Sequence, residues 1–128
     1  MAVSQGFIDT LTDALRPLGH ITVRKMFGGA ALYCDGQVFA LIADDVLHLK
    51  VDAETRPAFE AEGCGPFTYA TKDGVHELGG YHRAPDRLLD DDDDLRRWAR
   101  DAVAVGRRAA QSNPVARVKT TKVKARKR

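Results

Sequence analysis

Apolar residues near the start of the chain recur at the three- and four-residue spacing of one helix face. The positions on this face are Phe7, Ile8, Leu11, Ala14, Leu15 and Leu18. Ser4 precedes them and is suited to cap the helix through its hydroxyl oxygen. Because Pro17 and Gly19 disfavour a longer helix, the pattern predicts a first helix over about residues 4 to 17.

Three β-like runs follow, over residues 23–34, 37–43 and 46–51. The first two are separated by Asp35 and Gly36. Asp-Gly between two such runs is a strong hairpin signal, because glycine adopts the positive φ of a primed turn. These runs therefore predict consecutive antiparallel strands.

The third run alternates apolar and polar side chains. Leu47, Leu49 and Val51 occupy one face, and we expect this face to point to the core. His48 and Lys50 lie between them and share the other face.

The second half of the chain predicts a brief helix within residues 52–63 and a second hairpin. The two strands of this hairpin are expected at 67–72 and 75–82, around a turn at Asp73-Gly74. Two glycines inside the later strand, at 79–80, indicate a bulge or bend.

The longest helical stripe lies within residues 84–110. Its apolar positions are Leu95, Trp98, Ala99, Ala102, Val103 and Val105. The predicted order is α-β-β-β-α-β-β-α, and the short connections require an antiparallel sheet of about five strands. The fold class is therefore α+β, with two layers and helices flanking the sheet.

Charge divides the chain more sharply than its net value of +2 suggests. Residues 1–105 hold all 18 acids beside 11 Lys and Arg, a net charge of −7, whereas residues 106–128 hold nine cations and no acid. The helical pattern stops near Ser112, and the rest lacks aromatic residues. We therefore predict one folded domain over 1–111 and a disordered basic tail over 112–128.

The remaining composition points to an ordinary cytoplasmic protein. No apolar run approaches the roughly 18 residues that span a bilayer, and the first ten residues lack the pattern of a secretory signal. Cys34 and Cys64 are 30 residues apart and outside any CxxC pair, so reduced, partly buried thiols are expected.

The candidate catalytic and ligand-binding residues do not have the spacing that known catalytic or ligand-binding motifs require. Gly28 and Gly29 precede a strand, not a phosphate-binding helix, so we interpret them as shaping the sheet. The acidic run 90–94 lacks the alternating ligand spacing of a calcium loop and suits the capping of a helix N-terminus. The four histidines lack zinc-ligand spacing. No metal, cofactor or catalytic residue is predicted.

Two groups of cations are candidate contacts. Arg24 and Lys25 are either solvated charges at a strand start or a contact for an anion or a protein partner. In the tail, a non-specific DNA or RNA contact through released counterions is expected. Its cations are Arg117, Lys119, Lys122, Lys124, Arg126, Lys127 and Arg128. The tail has no Trp, Phe or Leu to insert into a membrane.

Several spaced motifs together resemble the N-terminal domain of TfoX-type competence regulators, over about residues 5 to 110. They are the Arg-x-Met-Phe-Gly-Gly motif at Arg24, Met26, Phe27, Gly28 and Gly29, the Phe-Ala-Leu-Ile strand at 39–42, the Leu-x-Leu-Lys-Val strand at 47–51, and Tyr81 with Pro85. The resemblance implies an antiparallel sheet flanked by helices, similar to secretion chaperones. It also implies a regulatory role without catalytic residues.

The sequence thus predicts a non-enzymatic regulatory module, accessory to transcription, with a nucleic-acid-binding tail. Two alternatives stay open. One is a chaperone-like interaction protein, a candidate homodimer with an unknown protein partner and no nucleic-acid role. The other is a small-ligand-binding domain with a cleft near Arg24, Tyr81 and Arg83.

Overall fold

A computed structural model describes residues 4–26 and 29–112 of the chain. The strands are β1 Ile21–Met26, β2 Gly29–Cys34, β3 Gln37–Ala43, β4 Val46–Lys50, β5 Pro66–Thr71 and β6 Gly74–Arg83. The helices are α1 Gln5–Leu15, α2 Arg56–Ala61 and α3 Asp92–Ser112, with 3-10 turns at Arg16–Leu18 and Asp86–Asp90. All strand pairs are antiparallel, in the order β1-β2-β3-β4-β6-β5, which confirms the predicted α+β class.

The first helix forms as its apolar spacing predicts. The Ser4 side chain accepts a hydrogen bond from the backbone N–H of Phe7 at 3.2 Å and so caps α1. The buried residues of α1 are Ile8, Leu11 and Leu15. The backbone N–H of Ser4 donates to the Asp45 carboxylate at 2.7 Å, which ties the helix start to the β3–β4 turn.

The sheet has six strands because the run predicted over 23–34 is two strands. β1 and β2 pair as a hairpin from Ile21 opposite Cys34 to Met26 opposite Gly29. No Asn-Gly or Asp-Gly pair marks this break, so the pattern does not reveal it. Phe27 and Gly28 lie outside the described residues.

Gly29 is required by the close approach of two strands. A Cβ built there would lie 2.3 Å from the backbone carbonyl oxygen of Ile42 on β3. Only glycine leaves room for this contact without a shift of backbone. The interpretation of Gly29 as a sheet-shaping residue is therefore supported by its surroundings.

The turn predicted at Asp35-Gly36 and the predicted bulge are present. The second hairpin turns at Lys72 and Asp73 and not at the predicted Asp73-Gly74, because Gly74 pairs with Thr71 as the first residue of β6. Asp35 and Gly36 have φ values of 51° and 83°, as a primed turn between β2 and β3 requires. In β6, the residues opposite Phe67 and Pro66 are Leu78 and His82, so the intervening segment 79–81 is unpaired with β5. This bulge lets β6 pair with β5 in its first part and with β4 at its end.

The helices α1 and α3 pack on one face of the sheet and bury the core there. Core residues from the helices include Ile8, Leu11, Leu15, Leu95, Ala99 and Ala102, and core residues from the strands include Leu32, Ile42, Leu47 and Leu49. The acidic run caps α3 as predicted, since the Asp91 carboxylate accepts a hydrogen bond from the N–H of Asp94 at 3.2 Å. Within residues 4–26 and 29–112, no helix packs on the opposite face of the sheet.

Candidate functional site

A cleft of about 930 Å³ lies on the helix-free face of the sheet. We call it the open-face cleft, and it is lined by residues 29–30, 41–44, 46, 48, 65–71, 78, 81 and 83. Strands β2, β3 and β4 therefore form one part of its lining, and strands β5 and β6 form the other. Its position follows from strand alternation, because the side chains that do not point to the helices line this face.

Aromatic rings form a continuous row along this face. The ring centroids of His48 and Phe67 are 4.6 Å apart, and those of Phe67 and Tyr69 are 5.8 Å apart. The row continues from Tyr69 to His76 at 5.3 Å. Tyr69 and Leu78 are 40% and 39% exposed, so the apolar surface at this end of the cleft is open to solvent.

His48 is a buried polar residue in this otherwise apolar lining. Its side chain lies in the cleft wall, the residue is 7% exposed, and its Nδ1 has no hydrogen-bond partner among the described residues. Burial lowers the pKa of His48, and hydrogen bonding to the backbone of Leu41 and Val46 partly opposes this shift by raising the pKa. Burial therefore favours the neutral form of His48, and the Nδ1 atom has no partner within the described part of the chain.

Three further polar side chains surround His48 through the pairing of β4 with β6. Arg83 lies opposite His48, and Tyr81 lies opposite Lys50, so the four residues form two adjacent cross-strand pairs on one face. The Lys50 Nζ lies 4.8 Å from the centre of the Tyr81 ring. Burial lowers the pKa of Lys50 and raises the pKa of Tyr81.

Neither Lys50 nor Arg83 has a strong ion pair with an acidic side chain among the described residues. Lys50 is half-buried and has no ion pair within the part of the chain that the structure describes. Arg83 contacts Asp86 at 3.4 Å, with both side chains largely exposed, so this pair is weak. The arrangement is suited to hold an anionic group beside an apolar and aromatic surface.

A profile of the TfoX N-terminal domain matches residues 13–105 of the chain. The chain belongs to the TfoX N-terminal domain family. This family is linked to competence regulation. The chain is also similar to a protein named DNA transformation protein TfoX1 from Aliivibrio fischeri (strain ATCC 700601 / ES114), with 33% identity over 58 residues. That match covers 45% of this chain and 28% of the relative.

The TfoX N-terminal domain match includes all six strands and therefore the whole open-face cleft. It ends within α3, before the basic residues that follow Val105. Among the described residues, no helix combines the length and apolar character that crossing a membrane requires. Within the same residues, His, Cys, Asp and Glu side chains do not gather in threes as metal ligands would.

The two candidate cations on β1 do not converge on one site in this TfoX N-terminal domain. Arg24 lies opposite Ala31 and Lys25 opposite Ala30, so alternation sends the two side chains to opposite faces. Both are exposed, and neither lines the open-face cleft. Their role as an anion or partner contact stays a prediction.

The predicted ligand-binding alternative placed Arg24, Tyr81 and Arg83 around one cleft. Tyr81 and Arg83 do line the open-face cleft, whereas Arg24 does not. Sequence reasoning did not single out His48, Lys50, Phe67 or Tyr69 as site residues. The alternation of His48 and Lys50 with leucines indicates that these two residues share the face away from the core. The residues that lie beside them on β6 depend on the strand order, which this pattern does not contain. The tail residues from Arg117 to Arg128 lie outside the described residues.

The other candidate groups are structural. Cys34 and Cys64 are free and buried, as predicted, and burial raises the pKa of both thiols. The ring of His82 lies on the helix side, and its Nδ1 is within hydrogen-bond distance, 3.0 Å, of the Cys64 carbonyl oxygen. Arg87 pairs with Glu62 and Asp94 and so links α2 to α3.

Proposed function

We propose that this chain is a non-enzymatic regulatory module, accessory to transcription regulation, whose basic tail adds non-specific affinity for DNA or RNA. Membership in the TfoX N-terminal domain family supports the regulatory part of the proposal. The division of charge between an acidic body and a basic end supports the nucleic-acid part.

The division of charge carries the proposal. Residues 106–128 contain nine cations, and the folded body engages two of them. Arg108 contacts Asp52 at 2.7 Å, and Arg107 contacts Asp35 at 3.8 Å. The other seven cations follow the end of α3, beyond the described residues, in a segment without acids.

A segment with seven cations binds a phosphate backbone mainly by releasing condensed counterions. Such contacts position a protein on nucleic acid without reading its sequence, since they do not reach the base edges. The tail would therefore keep the domain near nucleic acid, and the folded body would supply regulation through a protein partner.

The test compares the full chain with a variant that ends at Ser112, by fluorescence anisotropy on a random DNA duplex over a range of salt concentrations. For the full chain, up to seven phosphate contacts predict a slope of log K against log salt of up to about −6. The shortened variant should lose most of its affinity and its salt dependence.

A matched control removes two cations from the folded body instead, with Arg24→Ala and Lys25→Ala together. This double variant should retain the affinity and slope of the full chain. Undiminished binding by the variant that ends at Ser112 would refute the role of the tail. It would support the alternative of a chaperone-like interaction module, and sedimentation analysis would then test whether that module is a homodimer.

A further inference from the structure

We propose that the open-face cleft is a binding site for a small organic anion with a flat apolar body. The anionic group would lie between Lys50 and Arg83, and the apolar body would lie along the aromatic rings of Phe67 and Tyr69. This inference concerns the folded body alone, so it does not depend on the affinity of the tail for nucleic acid.

The size and lining of the cleft suit a small molecule. Its volume of about 930 Å³ falls within the roughly 300–1,000 Å³ of small-ligand pockets. Such pockets are mainly apolar and contain a few polar groups that orient the ligand. The open-face cleft has this composition, with Leu41, Phe67 and Leu78 in its wall beside His48 and Arg83.

The aromatic row favours a flat ligand. The rings of Phe67 and Tyr69 are inclined by only 26°, and so are the rings of Tyr69 and His76. A flat aromatic body can continue such a stack in an offset or edge-to-face arrangement. Tyr69 is 40% exposed, so one end of the row is accessible in the free protein.

Lys50, which has no ion pair among the described residues, and Arg83, which has only a weak one with Asp86, favour a negative group on that ligand. Lys50 is half-buried without an ion pair among the described residues, although burial lowers its pKa and thus opposes its charge. Lys50 borders the cleft without lining it, since its Nζ lies 4.8 Å from the centre of the Tyr81 ring, which does line the cleft. Arg83 lines the cleft and is the diagonal neighbour of Lys50 across β4 and β6. The acidic residue of the lining, Asp44, lies at the opposite end of β4 from Lys50.

His48 supplies an independent indication of a ligand. It lies directly opposite Arg83, is 7% exposed and lines the cleft, and its Nδ1 is unsatisfied within the described residues. Buried polar atoms without a partner are rare, and each requires a reason such as a missing ligand or water. A ligand with hydrogen-bonding groups beside Arg83 would satisfy this nitrogen.

The test uses 2-naphthoate as the probe and 2-naphthamide as its neutral match, each titrated into the full chain with amide NMR detection. The carboxylate should bind at least about tenfold more tightly than the amide, which corresponds to about 1.4 kcal/mol. Its shifts should be confined mainly to β4, β5 and β6. Equal affinity for the two probes, or shifts centred elsewhere, would overturn the proposal.

Three matched variants separate the cleft from other cations. Lys50→Gln and Arg83→Gln should each weaken naphthoate binding about five- to tenfold, whereas Arg24→Gln, on the same face but on β1, three strands away from β4, should leave it unchanged. All three retain the tail, so its contribution is constant. An equal loss in all three variants would contradict the assignment.

The titration is repeated at two protein concentrations. Unchanged naphthoate affinity supports a site that a small molecule occupies. Weaker apparent affinity at the higher concentration, together with a dimer in sedimentation analysis, would show that a second copy of the chain covers the cleft. That result would overturn the small-ligand proposal while leaving the role of the tail unaffected.

Discussion

Replacement of Gly29 by alanine should disturb the sheet where β2 approaches β3. The new Cβ would lie 2.3 Å from the Ile42 carbonyl oxygen, about 1.1 Å short of the 3.4 Å at which ordinary contacts begin. The obstacle is the backbone of β3 at Ile42, which pairs with both β2 and β4, so no side chain can rotate away to make room. Overpacking of this kind costs typically about 1–3 kcal/mol, and we expect about 3 kcal/mol here.

Urea unfolding followed by far-UV circular dichroism measures this loss, and thermal unfolding provides a second estimate. For a domain of this size, about 3 kcal/mol corresponds to a fall in Tm of roughly 12 °C. The slope of the unfolding free energy against urea should stay unchanged, because the variant buries a similar surface.

Gly79→Ala is the matched control, because Gly79 also lies in a strand but nothing stands within 4 Å of its Cβ position. We expect its unfolding free energy to stay within about 0.5 kcal/mol of wild type. If Gly29→Ala were as mild as this control, the close contact would not be the reason for glycine. If both variants lost stability equally, the cause would be common to strand glycines.

Two further predictions follow from side-chain environments. Because burial lowers the pKa of His48, the unfolded state binds the proton more readily, and the unfolding free energy should fall as pH drops below about 6.5. Urea unfolding between pH 6.5 and 5 measures this fall. The unfolding free energy should depend less on pH in His48→Gln than in wild type, but not in the control His20→Gln, which replaces an exposed histidine. Arg108 holds the pKa of Asp52 below its ordinary value by a hydrogen bond, so Arg108→Gln should raise that pKa in an NMR titration and change the stability only slightly, since both side chains are partly exposed. An unchanged Asp52 pKa in Arg108→Gln would contradict this assignment.

Local signals predicted the helices well. The stripe of α1, the Ser4 cap and the acidic cap of α3 all follow from residues within a few positions of one another. The last helix begins at Asp92, well inside the predicted range of 84–110, because the segment Asp86–Asp90 forms a separate 3-10 turn before Asp91 caps α3. A helical stripe alone does not distinguish these two forms of turn.

The first strand run shows the limit of pattern reasoning. Apolar and aromatic residues continue from Val23 to Cys34, and the run was interpreted as one strand. The pairing of Met26 with Gly29 shows that the chain reverses within it. The reversal lacks the Asp-Gly signal of the β2–β3 turn, so only the pairing of the strands reveals it.

The sequence by itself determined the α+β class, the helix faces, the Asp35-Gly36 turn, the buried thiols and the acidic body with its basic end, because each depends on neighbours along the chain or on composition. The tertiary structure decided the strand order, and with it the open-face cleft. Lys50 and Tyr81 are far apart in sequence and meet because β6, not β5, pairs with β4. The same alternation of side chains would suit either neighbour, so only the long-range packing of the sheet selects the residues that face one another.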